Sequence, residues 1–150
     1  MQEAKRRLKV LFLCTGNSCR SQMAEGWARH LHGNVIEPYS AGVEVHGLDP
    51  RAVRVMAEAG VDISGQRSKH VDEVRDIPFD YVVTVCDDAR ERCPFFPGRA
   101  QVIHVSFDDP PRLAKTMKSE EETLNSYRRV RDEIRAFVET LPDRLSGSKH

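Results

Sequence analysis

Residues 9–20, Lys-Val-Leu-Phe-Leu-Cys-Thr-Gly-Asn-Ser-Cys-Arg, contain the pattern that decides the fold. Residues 9–13 form a short and nearly continuous apolar run, which is typical of a strand buried on both faces of a sheet. The remaining seven residues form a polar turn. Ser21 is predicted as the N-cap of a helix that runs to about Leu31 and ends at Gly33. The stretch therefore predicts a strand, a tight turn and a helix that follow one another directly.

The rest of the chain alternates strand and helix patterns. These patterns predict a strand near Asn34 to Tyr39, a turn at 40–42, a helix over 50–59, strands over 79–85 and 100–105, and a helix from Ser119 to Pro142. The shorter helix is bracketed by Asp49 as N-cap and Gly60, and its inward residues are predicted to be Val53, Met56 and Ala57. The apolar face of the long helix is predicted to comprise Leu124, Tyr127, Val130, Ile134, Phe137, Val138 and Leu141.

Alternating strands and helices imply a parallel sheet with right-handed crossovers. The predicted fold class is therefore α/β, with a central four-stranded parallel sheet flanked by helices in one domain over residues 1–150. Residues 146–150 are expected to form a loose tail. A monomer is the default expectation.

Composition limits the class of protein. The chain has 150 residues, 39% of them hydrophobic, and 23 Lys and Arg balance 23 Asp and Glu. A chain of this length typically forms one domain around one core. The balanced charge and a pI near 7.0 argue against a nucleic-acid-binding protein, and the recurring apolar runs argue against disorder.

The sequence does not predict secretion or membrane insertion. Lys5 to Arg7 precede only about five apolar residues, short of the roughly 7–15 of a signal peptide, and no stretch approaches the roughly 18 of a membrane span. We therefore expect a cytoplasmic protein. Its four cysteines are then expected to be thiols that serve catalysis or metal binding rather than structural disulfides.

The polar turn has the pattern of an oxyanion-binding loop. A loop of five residues between Cys14 and Arg20, placed before a helix N-terminus, can turn its backbone N–H groups inward around a tetrahedral anion. The helix dipole favours the Cys14 thiolate, Gly16 allows close backbone approach, and the Arg20 guanidinium can bind two oxygens. The predicted substrate-binding residues are Thr15, Gly16, Asn17, Ser18, Cys19, Arg20 and Ser21. The alternative is a buried core cysteine beside a surface arginine.

Other reactive side chains follow predicted strands. Cys86 comes after the strand over 79–85, and Asp108 and Asp109 come after the strand over 100–105. In parallel sheets ligands bind beyond the carboxyl ends of the strands. We therefore expect these residues to converge with Cys14 at one edge of the sheet.

From about residue 8 to residue 140, the chain resembles low-molecular-weight tyrosine phosphatases and, more closely, thioredoxin-coupled arsenate reductases. The residues that carry the resemblance are Cys14 to Trp27, Tyr39 to Gly42, Val83 to Cys86, Cys93-Pro94, Phe107 to Pro110 and Arg129 to Ile134. The loop alone does not separate phosphatase from reductase. The second cysteine pair, Cys86 and Cys93, favours the reductase, because reduction of arsenate needs two electrons that thiol–disulfide exchange can supply.

The resemblance implies a relay of three cysteines. Cys14 attacks arsenate, Cys86 attacks the Cys14 sulfur and expels arsenite, and Cys93 attacks Cys86 to leave a disulfide for thioredoxin. Glutaredoxin or a small thiol is the alternative electron donor. No bound cofactor is expected, and phosphate and sulfate are expected to compete with arsenate. The polar segment 87–92 is predicted to begin as a helical turn that rearranges on oxidation, because a disulfide requires close Cα atoms.

The resemblance also implies roles for residues around the loop. Asp109 matches the general acid that protonates the leaving oxygen, Asp108 is the competing candidate, and the alternative is an acidic turn before Pro110. The amide of Asn17 is expected to hold the loop in its anion-binding shape. Ser21 could donate a hydrogen bond to the Cys14 thiolate or could only cap the helix.

The sequence is also compatible with three other functions. The first is a low-molecular-weight tyrosine phosphatase that uses Cys14, Arg20 and Asp109. The second is a thiol sensor or arsenic-binding module without turnover, and the third is zinc binding by the cysteines, which the spacing and Arg20 disfavour. No metal site and no nucleotide-binding motif are predicted. Cys86 and Cys93 could also be half-buried structural cysteines.

One departure from the related reductases concerns a cation. Some of them bind potassium at positions equivalent to Asn17, Glu25, Ser40 and an aspartate, and Lys69 stands at the last position here. The Lys69 ammonium is predicted to occupy that space and to pair with Glu25, so we expect no potassium dependence. The six histidines are predicted to be structural or solvated.

Overall fold

The computed structural model describes residues 7–86 and 100–141, together with residues 143 and 145. Its strands are β1 (Leu8–Cys14), β2 (Ile36–Gly42), β3 (Tyr81–Thr84) and β4 (Gln101–His104). Its α-helices are α1 (Arg20–His32), α2 (Pro50–Glu58), α3 (Pro110–Ala114) and α4 (Glu120–Glu139), and Val71–Glu73 forms a turn of 3₁₀-helix. The strands are parallel and lie in the order β2-β1-β3-β4, which confirms the predicted four-stranded α/β sheet. No helix in the described ranges is long and apolar enough to cross a membrane.

Strand β1 is buried on both faces, as predicted. Val10 and Phe12 face a large core cluster shared with α1, α2 and α4, whereas Leu11 and Leu13 face a smaller cluster that includes Val74. This alternation follows from the two-residue period of a strand. The side chains of these four consecutive residues are fully buried. The strand is therefore a rigid base for the residues that follow it.

Helix α4 packs on the large cluster and begins as predicted. The Ser119 hydroxyl accepts a hydrogen bond from the backbone N–H of Glu122, which satisfies an otherwise open helix terminus. The prediction of its apolar face is confirmed, since all seven side chains are buried: Leu124, Tyr127, Val130, Ile134, Phe137, Val138 and Leu141.

Two local predictions are wrong, and one helix was not predicted. The predicted turn at 40–42 belongs to β2, because Ser40, Ala41 and Gly42 continue the pairing with β1 up to Cys14. In α2, Met56 is buried and Val53 packs partly buried on the large cluster, as predicted, but Ala57 is exposed, and Ala52 and Val55 are buried instead. The packing of α2 against α4 selects this face. Helix α3 was not predicted, because Asp108 and Asp109 before two prolines resemble a turn.

The strand order brings the carboxyl ends of the central strands together. The chain leaves β1 for β2 on one side and later adds β3 on the other side, which makes β1 the switch point of the sheet. Cys14 pairs with Gly42 of β2, and Leu13 pairs with Thr84 of β3. The loop after β1 therefore lies at the edge where such sheets bind ligands.

Candidate active site

The loop over residues 14–20 has a backbone shape that depends on one residue with positive φ. Asn17 has a φ of 49° and is fully buried. Asparagine tolerates this left-handed conformation better than most residues, because its short amide can bond locally. The loop ends where α1 begins at Arg20, with Cys19 in the N-cap position.

The side chain of Asn17 connects the loop to two other segments. Its Oδ1 accepts hydrogen bonds from the backbone N–H of Lys69 at 2.7 Å and from Gln22 Nε2 at 3.1 Å. Its Nδ2 donates to Ser21 Oγ at 2.8 Å. The amide is thus held on both sides, and it holds the loop in turn. This arrangement agrees with the role that the resemblance implies for Asn17.

Ser21 lies behind the sulfur of Cys14 and does not cap α1. Ser21 Oγ is 3.0 Å from Cys14 Sγ, and the helix begins two residues earlier than predicted, with Cys19 as its N-cap. Since Ser21 Oγ already accepts from Asn17, its own proton is available for the sulfur. Of the two roles considered for Ser21, the structure has the contact with Cys14 and not the cap.

The segment over residues 43–49 lies along the outer side of the loop. The N–H groups of Glu44, His46 and Asp49 donate to the carbonyls of Thr15, Gly16 and Ser18 at 2.9, 3.1 and 3.0 Å. Ser68 Oγ also donates to the Gly16 carbonyl, at 3.2 Å. These bonds hold the loop from outside. They arise from residues distant in sequence, so the loop takes its shape only in the folded chain.

A cavity of about 280 Å³ opens at the loop. It is lined by Cys14, Thr15, Gly16, Ser18, Cys19, Arg20, His46, Asp49, Asp109 and Pro111. Five of the seven predicted loop residues beyond Cys14 therefore line it, whereas Asn17 and Ser21 support the loop from behind. A tetrahedral oxyanion fits in this volume next to the Cys14 sulfur.

Arg20 joins the loop to the segment before α3. Its Nη1 donates to the Phe107 carbonyl at 3.2 Å, and its Nη2 lies 3.6 Å from Asp109 Oδ1. Asp108 faces the other way and pairs with Arg129 of α4 at 2.9 Å. Of the two candidate acids, Asp109 therefore lies at the cavity.

Cys19 lies in the cavity wall as a buried thiol. Burial raises the pKa of Cys19 well above its usual value, and the negative charges of Asp49 and Asp109 raise it further. The free thiols of the described residues are Cys14 and Cys19. No group of three or more potential metal ligands occurs among the described residues.

The second cysteine pair is described only in part. Cys86 is fully buried, two residues beyond the end of β3, and it is disulfide-bonded in the structure. Since Leu13 pairs with Thr84, Cys14 at the end of β1 and Cys86 just after β3 lie at the same edge of the sheet. Cys93, and the helical turn predicted for residues 87–92, lie outside the described residues.

Two side chains near the loop differ from their predictions. Lys69 Nζ donates to the carbonyls of Ser40 and Arg67 at 2.9 and 3.1 Å, whereas the Glu25 carboxylate bonds to Arg29 and to the Ser40 hydroxyl. The predicted ion pair of Lys69 with Glu25 is therefore wrong, because Arg29 one turn along α1 occupies that carboxylate. Burial lowers the pKa of Lys69.

His46 is a cavity residue that sequence reasoning missed. Its prediction as structural or solvated rested on the lack of a ligand-like spacing. The available signal was topological, since residues 43–49 follow β2 at the carboxyl edge of the sheet, next to Cys14.

Comparisons with known proteins cover nearly the whole chain. The family model described as low molecular weight phosphotyrosine protein phosphatase matches residues 9–149. An arsenate reductase from Bacillus subtilis is 50% identical over 135 residues, which are 87% of this chain and 95% of that protein. A solved arsenate reductase in the phosphate binding state aligns with a TM-score of 0.76 and 32% identity, over 92% of this chain and 98% of the other. A thioredoxin-dependent arsenate reductase from Corynebacterium glutamicum aligns with a TM-score of 0.65 and 26% identity, over 97% of this chain and 65% of the other.

Proposed function

Because the chain belongs to the low-molecular-weight phosphotyrosine protein phosphatase family, we propose that it uses the oxyanion loop of that family to reduce arsenate to arsenite. One observation carries the proposal: a free cysteine, Cys14, lies at an oxyanion-sized cavity, and a disulfide-bonded cysteine, Cys86, follows the adjacent strand β3 at the same edge of the sheet. A phosphatase needs only the first of these. The relatives named arsenate reductases support the same choice.

The proposed reaction begins with attack of the Cys14 sulfur on arsenic. An As–O bond breaks as the S–As bond forms, and Asp109 supplies a proton so that the oxygen leaves as water. Arg20 binds the remaining oxygens of the adduct, once its present bond to Phe107 is exchanged for the substrate. The Ser21 hydroxyl stabilises the Cys14 sulfur whenever the latter carries negative charge.

Reduction follows in two exchange steps. Once the external dithiol has reduced the disulfide of Cys86, the Cys86 thiolate attacks the Cys14 sulfur, the S–As bond breaks, and its electron pair stays on arsenic, which leaves as arsenite. Cys93 then attacks the Cys86 sulfur, which releases the Cys14 thiolate and forms a Cys86–Cys93 disulfide. Two electrons from an external dithiol, for which we propose thioredoxin, restore the enzyme. No bound cofactor takes part in this scheme, and one chain in a thioredoxin-containing compartment such as the cytoplasm is sufficient for it.

The test is arsenate-dependent NADPH consumption with thioredoxin and thioredoxin reductase, together with arsenite released per chain. We expect many turnovers for the parent. Cys93→Ser should release about one arsenite per chain and then stop as a Cys14–Cys86 disulfide, whereas Cys86→Ser should release none. Mass spectrometry of the trapped disulfide identifies the stage at which each variant stops.

A tyrosine phosphatase is the second candidate, and the family model favours it directly. The loop and cavity should accept phosphate as well as arsenate, since both are tetrahedral oxyanions. An aryl phosphate separates the two functions. Efficient hydrolysis by both the parent and Cys86→Ser, without arsenate reduction by either, would overturn the reductase and leave the phosphatase.

A further inference from the structure

His46 lies directly against the oxyanion loop. A methyl group placed on Gly16 would come within 2.3 Å of His46 Nδ1, so the imidazole ring packs on the one loop residue that has no side chain. The His46 backbone donates to the Gly16 carbonyl at 3.1 Å, which fixes the residue at this position. The ring lines the same cavity as Cys14 and Arg20, yet its side chain stays 53% exposed. It therefore lies at the mouth of the cavity.

Glu44 fixes the orientation of this ring. Glu44 Oε1 lies 2.7 Å from His46 Nε2. A carboxylate only accepts hydrogen bonds, so Nε2 carries a proton in this contact. The other ring nitrogen, Nδ1, is then the one that faces the loop. It becomes a donor when the ring takes up its second proton.

The charged side chains of the cavity favour an additional positive group for binding an anion. The charged side chains among the described residues that line it are Arg20, Asp49 and, when it is not protonated to act as the acid, Asp109. One cation thus stands against two carboxylates, which is unfavourable for a dianion. Among those same lining residues, His46 is the other side chain that can become positive. The carboxylate of Asp49 already accepts hydrogen bonds from the Tyr127 hydroxyl and from the backbone N–H of Arg51.

We propose that His46 is a further oxyanion-binding residue, whose protonated ring donates from Nδ1 to an oxygen of the anion held by the loop. Arsenate is the anion if the proposed function holds, and the inference deepens that function. The imidazolium then supplies a second positive charge in the cavity that Arg20 lines. Glu44 is the positioning residue that keeps Nδ1 turned toward the loop.

The test uses sulfate, because sulfate stays a dianion from pH 6 to pH 8.5 and any pH dependence then belongs to the protein. Titration calorimetry of the reduced full chain is compared at these two pH values for the parent and His46→Gln. Glutamine keeps a hydrogen-bonding group but cannot become positive. The other titratable or charged groups that face His46 are present in both proteins: Glu44, Cys14, Cys19, Arg20, Asp49 and Asp109.

We expect His46→Gln to weaken sulfate binding about tenfold at pH 6, as for loss of one charge-assisted hydrogen bond, and less than about twofold at pH 8.5. Glu44→Gln should give a smaller loss at pH 6. His30→Gln, on the exposed side of α1, is the matched control and should bind sulfate as the parent does. His46→Asn repeats the test if the glutamine variant does not fold.

Three results would overturn the inference: no sulfate binding by the parent, equal affinity of parent and His46→Gln at pH 6, or the same loss at both pH values. The last would assign His46 a structural role. The calorimetric result does not depend on arsenate turnover. A chain that fails to reduce arsenate but shows the expected pH-dependent loss would refute the proposed function and retain this inference.

Discussion

Gly42 at the end of β2 controls how closely the sheet can approach the oxyanion loop. A Cβ at this position would lie 2.6 Å from the Thr15 carbonyl oxygen, 2.8 Å from the Asn17 nitrogen and 3.0 Å from the Cys14 carbonyl oxygen. All three are backbone atoms, which cannot rotate away. For Gly42→Ala, either the loop or the end of β2 must move by several tenths of an ångström. Overpacking of this kind costs about 2 kcal/mol.

For a chain of this length, that cost lowers the unfolding temperature by roughly 4–8 °C. The displaced loop should also bind phosphate at least about tenfold more weakly, since shifts of about 1 Å strongly weaken a preorganised site. Gly65→Ala is the matched control, because nothing lies within 4 Å of a Cβ there and its φ is not in the left-handed range. Calorimetry of unfolding and of phosphate binding measures both effects. If Gly42→Ala equals Gly65→Ala in both, the argument from close approach is wrong.

Three further predictions concern single groups. Asp109→Asn should slow arsenate reduction by a factor of about 10²–10⁴. Asp108→Asn loses only an exposed ion pair with Arg129 and should slow the reaction less than about threefold. Equal losses of the steady-state rate would refute Asp109 as the general acid. Because the pKa of Cys19 is raised, the folded chain keeps the thiol proton at a pH at which the unfolded chain has lost it. The free energy of unfolding should therefore fall as the pH rises past about 9. In denaturant unfolding, Cys19→Ala should show a smaller decrease over this pH range than the parent. Replacing sodium with potassium at equal ionic strength should leave turnover and unfolding temperature unchanged, since Lys69 already donates to the nearby carbonyls; a gain in potassium would contradict this.

The sequence predicted the parts of the molecule that depend on local patterns. The buried strand β1 and the apolar face of α4 follow from periodicity, and the N-caps at Asp49 and Ser119 follow from residue type. The strand order was not assigned, but the convergence of Cys14 and Cys86 at one edge followed from a parallel sheet alone.

The remaining features depend on contacts between distant segments. The choice of Asp109 over Asp108 needs the position of Arg129 on α4, which no local pattern contains. Serine is a common N-cap residue, and only the distance from Ser21 Oγ to Cys14 Sγ shows that Ser21 contacts the cysteine instead. The place of His46 follows from the hydrogen bonds that join residues 43–49 to the loop.

Asp108 and Asp109 show how a surface connection can be constrained in length. Neighbouring side chains in extended backbone point in opposite directions, and these two carboxylates face α4 and the cavity respectively. Most surface connections tolerate insertions. Phe107 and Asp109, on either side of Asp108, both contact Arg20. A residue added between them would break this spacing, so we expect the connection to accept insertions before Phe107 and not after it.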